Sequence, residues 1–295
     1  MEPWFVYALL ATLLYGLLNF LFKMAAERGC DADDLVGAVG LSVAGLAFGT
    51  LLFTEEAPGT VFTRPVWVYA FFNGLFFALS TLAKVGALKR APAATVFTLD
   101  RLNSLAVLAI GFLFFQETAR PVQIAGIATG LGVLGLVTLD QRVHFTGAGS
   151  RARLAGILLA LGSAAFTALT LTVGKLLAGS SANRIAYIGV SYALVFVFTS
   201  VRRRVVRTGP GPAPGAKAHR LALFGLAIGA LNYAGYFLLL QAFGCGPLSL
   251  AQAVFSCSII IPILLSRLFY GERMSAWQVA AIGLAILSVA LIGMK

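Results

Sequence analysis

Acidic side chains are scarce in this sequence, with 11 Asp and Glu among 295 residues against 22 Lys and Arg. Charge of either sign is scarce as well, at 11% of residues, where a water-soluble chain carries about 25%. A water-facing surface cannot be built from so little charge, and 59% of the residues are hydrophobic. The solvent must be lipid. The net charge of +11 is therefore to be placed relative to a membrane and is not a nucleic-acid footprint. Histidine occurs only as His144 and His219, isolated and in loops. There is no metal-ligand spacing, nucleophile elbow or carboxylate cluster, so neither an enzyme nor a cofactor is expected. A phosphate-binding P-loop is absent too, which leaves primary pumping by this chain alone unsupported. Cys30, Cys245 and Cys257 show no paired spacing, and Cys257 reads as a small buried hydrophobe inside an apolar run.

What is present is a series of long apolar runs. A bilayer core about 30 Å thick needs roughly 20 apolar helical residues. Runs of that order lie near Trp4–Ala26, Leu35–Phe53, Pro65–Leu88, Ala93–Phe115 and Val122–Leu139. A second set lies near Leu154–Ala178, Ile185–Val201, Leu221–Phe243, Leu248–Phe269 and Ala276–Met294. The first run has no basic leader and continues past Phe22, so it reads as a span and not as a signal peptide. The Gly/Pro-rich loop around Gly209–Lys217 reads as a flexible tether.

The chain repeats itself. Pro92, Leu113, Phe114, Glu117, Gln123, Ala125 and Leu136 recur as Pro247, Leu268, Phe269, Glu272, Gln278, Ala280 and Leu291, at a constant offset of 155 residues. The same offset pairs Gly74 with Gly229, and an offset of 152 pairs Lys23 with Lys175. The expected fold is all-α and integral to the membrane, with ten transmembrane helices in two repeats, residues 1–146 and 147–295. Five spans per repeat is an odd number, so the two copies enter the membrane from opposite sides. Inverted repeats of this kind place a substrate site near the midplane, at the repeat interface.

Ala91-Pro92-Ala93-Ala94 with Phe115-Gln116-Glu117, and Gly246-Pro247-Leu248-Ser249 with Tyr270-Gly271-Glu272, carry a likeness to a known family. The whole chain resembles the drug/metabolite transporter superfamily, in its ten-helix branch with two EamA-type repeats. The resemblance implies a central cavity lined mainly by spans 1, 3, 4, 6, 8 and 9. It does not specify a substrate.

Odd-numbered loops hold Arg28, Lys89, Arg90, Arg142, Arg151, Arg153, Arg202, Arg203, Arg204, Arg207, Lys217, Arg220 and Arg273. Even-numbered loops and the C-terminus hold only Arg64, Arg120, Arg184 and Lys295. Cytoplasmic loops retain Lys and Arg, which puts both termini outside. The resemblance usually implies cytoplasmic termini, so orientation stays open.

Charges within spans cost about 2.5–3.5 kcal/mol at the bilayer centre, so they are candidates for function. Lys23, Lys175 and Arg267 lie within a turn of their helix ends, where snorkelling and the helix dipole account for them. Arg101 lies eight residues into span 4, roughly 12 Å deep, next to Asp100, and Lys84 lies near the end of span 3 on the same side of the membrane, within reach of Asp100. Adjacent helical residues point about 100° apart. A Lys84–Asp100 pair would therefore leave Arg101 facing a cavity, and the alternative is a structural ion cluster. Polar stripes run along span 1 (Tyr15, Asn19, Lys23) and span 3 (Asn73, Phe77, Ser80, Thr81, Lys84). Others mark span 8 (Asn232, Tyr236, with Tyr233 close by) and span 9 (Ser249, Gln252, Ser256). Hydroxyls and amides also serve as glue between helices, so convergence of the stripes counts for more than any single member. Glu117 and Glu272 precede spans 5 and 10, whose N-terminal dipoles suffice to explain them.

The resulting expectation is a secondary transporter of a small polar metabolite, such as an amino acid, organic anion or phosphorylated metabolite, in the cell membrane (the inner membrane in a bacterium). Its expected substrate-binding residues are Tyr15, Asn19, Asn73, Ser80, Lys84, Asp100, Arg101, Asn232, Tyr236, Gln252 and Ser256. Its expected partners are the small-molecule substrate and membrane lipid, with no nucleic acid, and a homodimer is an assembly to test for. A non-transporting scaffold or flippase partner is the alternative, ahead of a channel.

Overall fold

A computed structural model describes residues 2–54, 58–88, 90, 96, 99–100, 102–140, 150–206, 216–271 and 275–294. Among these residues there are only helices and turns. The long helices are α1 (Pro3–Glu27), α2 (Ala32–Leu51), α3 (Arg64–Leu88), α4 (Asn103–Leu113), α5 (Pro121–Asp140) and α6 (Ser150–Ala178). They are followed by α7 (Arg184–Val206), α8 (Ala216–Cys245), α9 (Leu248–Ser256), α10 (Ile260–Tyr270) and α11 (Ala276–Gly293), and a single turn of helix covers Pro58–Val61. Among the described residues eight segments are long and apolar enough to cross a membrane, and Asn103–Leu113 and Pro121–Leu136 are shorter apolar helices. The fold is that of a multi-pass membrane protein. The expected start of span 4, with its Ala91–Ala94 motif, lies outside the described residues, as do Arg101 and Glu272.

Local chemistry fixes the helix ends. Asp31 caps α2, its carboxylate accepting from the N–H groups of Asp33 and Asp34 at 3.0 and 3.3 Å. Ser275 and Gln278 form a reciprocal capping box at the start of α11. At the end of α10, Gly271 takes φ +63°, a left-handed position that suits glycine. The ninth apolar run is continuous in sequence but broken in structure. A 3-10 turn at Cys257–Ile259 separates α9 from α10. Pro262 supplies the reason: it has no N–H to offer the Ser258 carbonyl and its ring crowds that turn.

Packing follows the repeat. The principal helix pairs are α3 with α6, α8 with α1, α2 with α7, α2 with α8, α3 with α7, α4 with α9 and α5 with α11. Exchanging each span for the one five places on, with α9–α10 counted as span 9, returns the same set. The two glycines paired by the offset of 155 do the same work. A Cβ on Gly74 of α3 would lie 3.1 Å from Leu194 Cβ on α7, and one on Gly229 of α8 would lie 2.6 Å from Ser42 Cβ on α2. Small residues at these crossings bring helix backbones close, which is how membrane helices gain dispersion energy without a hydrophobic driving force.

Candidate transport site

A cavity of about 370 Å³ lies inside the bundle. The span 3 stripe faces it in full, since Asn73, Phe77, Ser80, Thr81 and Lys84 all line it. This follows from the helical spacing, which puts those residues on one face of α3. Tyr15 comes from α1, Asn103 and Ser104 from α4, Thr167 and Thr170 from α6, Tyr236 from α8, and Gln252 and Ser256 from α9. These are the six spans that the resemblance implied. The structure adds Val36 of α2, Tyr192 and Val195 of α7, and Ser258 in the 3-10 turn.

One wall is a network of tyrosines and asparagines. Tyr15 and Tyr192 both donate to Asn232 Oδ1, at 3.1 and 2.9 Å. Tyr236 donates to Asn73 Oδ1 at 3.1 Å, and its hydroxyl lies 2.9 Å from that of Tyr187. Asn232 therefore sits behind the cavity and positions two lining tyrosines. Asn232 thus joins two rings and Asn73 accepts from a third that is tied to a fourth, and every buried oxygen named here has a partner.

Farther along the same face of α3 lie a hydroxyl belt and an ion pair. Ser80 Oγ contacts Thr167 Oγ1 at 2.7 Å and Ser163 Oγ at 3.1 Å. Ser163 in turn donates to Asp100 Oδ1 at 2.9 Å. The other Asp100 oxygen, Oδ2, holds Lys84 Nζ at 2.8 Å. The Lys84–Asp100 pair expected from the sequence is formed, with Asp100 behind the lining and Lys84 at its edge. A smaller pocket shares Val36, Phe77, Thr81 and Val195 with the cavity wall and leads on to Arg202. Arg202 and Arg203 are themselves tied to Asp33 and Asp34, at 3.0 and 3.2 Å.

Several expectations need correcting. Asn19, one turn on from Tyr15 on α1, is not among the residues that line the cavity. Asn232 and Asp100 lie behind the wall instead of in it. Tyr233 turns away to Thr50, 2.8 Å between hydroxyl oxygens. Ser249 belongs to the start of α9, beside Glu117. Residues missed from the sequence are Asn103, Ser104, Thr167, Thr170 and Tyr192. Thr167, Thr170 and the supporting Ser163 have helical spacing on α6, a signal diluted by the many other hydroxyls in the apolar runs.

At the bundle end opposite Lys84, Glu117 does not serve its own helix. Its carboxylate accepts from the N–H groups of Leu248 and Ser249, the latter at 2.8 Å, and so caps α9. Lys175 does not snorkel. Its ammonium donates to the carbonyls of Phe243 and Gly246, at 2.8 and 2.6 Å, and lies 3.8 Å from Glu117 Oε1. A Cβ on Gly111 would sit 2.7 Å from Glu117 Oε2, so glycine is what lets the carboxylate in. The repeat is visible here too. Lys175 lies 5.9 Å from the Phe115 ring centre, and Lys23 lies 5.1 Å from that of Tyr270, its repeat equivalent. Ser266, the counterpart of Gly111, instead accepts from Lys23 at 2.9 Å. Arg267 is exposed at the end of α10, as its position predicts.

No group of three His, Cys, Asp or Glu among the described residues is placed to hold a metal. No curated protein matches the chain in sequence. Among the solved structures similar to this chain, one crystal structure matches over 98% of this chain and 96% of its own, with a TM-score of 0.76 at 19% identity, a likeness of fold alone. The EamA-like transporter family matches twice, at residues 2–139 and 154–294. Together the two matches span nearly the whole chain, and on that ground it belongs to the EamA-like transporter family.

Proposed function

We propose that the chain is a ten-span secondary transporter of a small polar metabolite, built as two inverted five-span repeats (residues 1–146 and 147–295) and working by alternating access. The observation that carries this reading is the polar cavity at the repeat interface. Six of its lining helices are three equivalent pairs from the two halves: α1 and α6, α3 and α8, and α4 and α9. The exchange of helix contacts between the halves supports the inversion. Two halves that can adopt each other's conformations provide two access states around one site.

The volume of about 370 Å³ suits a metabolite of amino-acid to nucleoside size. Lys84 at the cavity edge supports a carboxylate or phosphate at that end, held as by a point charge. The site is proposed to lie in the cell membrane with lipid as its surroundings, and without a nucleic-acid partner.

Counterflow in proteoliposomes tests the reading. Amino acids, organic acids and phosphorylated sugars would be loaded inside, and uptake of the labelled compound measured. Saturable uptake accelerated by internal substrate is expected. Flux that neither saturates nor shows counterflow indicates a channel, and binding without flux indicates a scaffold. Arg101→Gln is expected to weaken substrate affinity while leaving the melting temperature nearly unchanged. Loss of folded protein with native affinity in the remainder would make Arg101 part of a structural ion cluster.

A further inference from the structure

Gln252 is 2% exposed and lines the cavity, and its Oε1 has no hydrogen-bond partner. The amide could in principle be turned over, since its oxygen and nitrogen differ little in shape. Proton accounting decides the orientation. Ser256 Oγ donates to the Gln252 backbone carbonyl at 2.8 Å, which uses its one proton. Ser104 Oγ, 2.9 Å from Ser256 Oγ, donates its one proton to Asn103 Oδ1 at 3.1 Å. Both hydroxyl oxygens can then only accept from the Gln252 side chain, whose Nε2 lies 3.2 and 3.5 Å from them. The amide nitrogen faces the serines and the carbonyl oxygen is left for the cavity.

We propose that Gln252 Oε1 is a specificity-determining acceptor that reads an uncharged N–H or O–H donor on the substrate. This deepens the transporter reading and rests on it. A buried carbonyl oxygen without a partner costs free energy that a ligand donor recovers. The donor is a carboxamide, ring N–H or hydroxyl and not an ammonium, because Asp100 is committed to Lys84 and Ser163, and Glu117, at the start of α9, to Lys175 and two backbone N–H groups. An ammonium beside Gln252 would be buried without a counter-charge. Tyr15 and Phe255, edge to face at 4.8 Å, give that end of the cavity apolar walls.

Three probes share a benzoate and differ at the para position: terephthalamate with an amide, monomethyl terephthalate with an ester, and para-aminomethylbenzoate with an ammonium. In thermal-shift titrations of the purified full-length protein, terephthalamate alone is expected to stabilise. Gln252→Leu should weaken it about tenfold, the worth of one hydrogen bond. Gln252→Glu should move the preference to the ammonium probe, and this gain keeps the test valid should the leucine variant fail to fold. Equal stabilisation by the ester, preference of the native protein for the ammonium, no shift with any probe, or unchanged affinity in Gln252→Leu would each overturn the proposal. Counterflow of terephthalamate separates the two readings. Binding through Gln252 without counterflow sinks transport and leaves the acceptor role standing. Counterflow indifferent to Gln252 sinks the acceptor role and leaves transport standing.

Discussion

Replacing Glu117 with alanine is expected to lower the melting temperature sharply, by an amount equivalent to about 3–5 kcal/mol, the usual cost of breaking a buried ion pair from one side. The side chain is only 9% exposed, and that of Lys175 is 17% exposed. Alanine removes the acceptor for two N–H groups at the start of α9 and leaves the Lys175 ammonium without its counter-charge. Glutamine should be nearly as damaging. It offers one acceptor and one donor where Leu248 and Ser249 present two donors. Lys175→Met should cost less, because the carboxylate keeps its two backbone partners. The double variant Glu117→Ala/Lys175→Met should be clearly less destabilised than the sum of the singles. Denaturation of the four proteins in one detergent checks this, and strict additivity would mean that the two side chains are not coupled.

The second large effect concerns Lys84 and Asp100. Asp100→Ala leaves the Lys84 ammonium, one turn from the end of α3, with no carboxylate, at a cost below the ~2.5–3.5 kcal/mol of a charge at the bilayer centre. It also removes the acceptor of the Ser163 hydroxyl. Melting temperature should fall, and binding of anionic compounds should strengthen as Lys84 loses its competitor. Lys84→Met in the same background removes the orphan charge. The double variant should melt above Asp100→Ala while losing the anion binding. Titration of the four proteins with an organic acid and a neutral polyol reads both effects. If Asp100→Ala gained affinity for both compounds alike, charge would not be the operative property.

Periodicity made part of the cavity legible. On α3, five polar and aromatic residues at helical spacing were enough to name one wall, because a helix turns all five to the same side. On α1 and α8, Asn19 and Asn232 share the spacing of their stripes but are not lining residues. Spacing fixes the face of a helix but not the depth or direction at which a cavity meets it. Tyr192 was not legible because α7 presents it singly, without a stripe. Its role appears only when Asn232 of α8 is seen to join it to Tyr15.

The helix termini show the same division. Glu117 sits before α5 in the chain, and a sequence-local argument assigns it to that helix. In space the N-terminus of α9 lies against it, since Gly111 allows α4 and α9 to approach closely. A carboxylate stabilises whichever helix N-terminus is near, and nearness across 131 positions of sequence is a property of the packed bundle.

By itself the sequence determined the solvent, the helical class and the repeat. These are sums over many residues, and hydropathy and a constant offset survive without any knowledge of contacts. It also determined which side of α3 is polar and offered Lys84 and Asp100 as a possible pair, which the packed helices form. Only the tertiary structure decided which polar atoms are already satisfied. Gln252 and Ser256 look alike in the sequence as members of one stripe, yet Ser256 spends its proton on its own helix and Gln252 is left with a free oxygen. Hydrogen-bond demand is settled pairwise, by which atoms fall within about 3 Å of one another, and those pairs join residues from different helices.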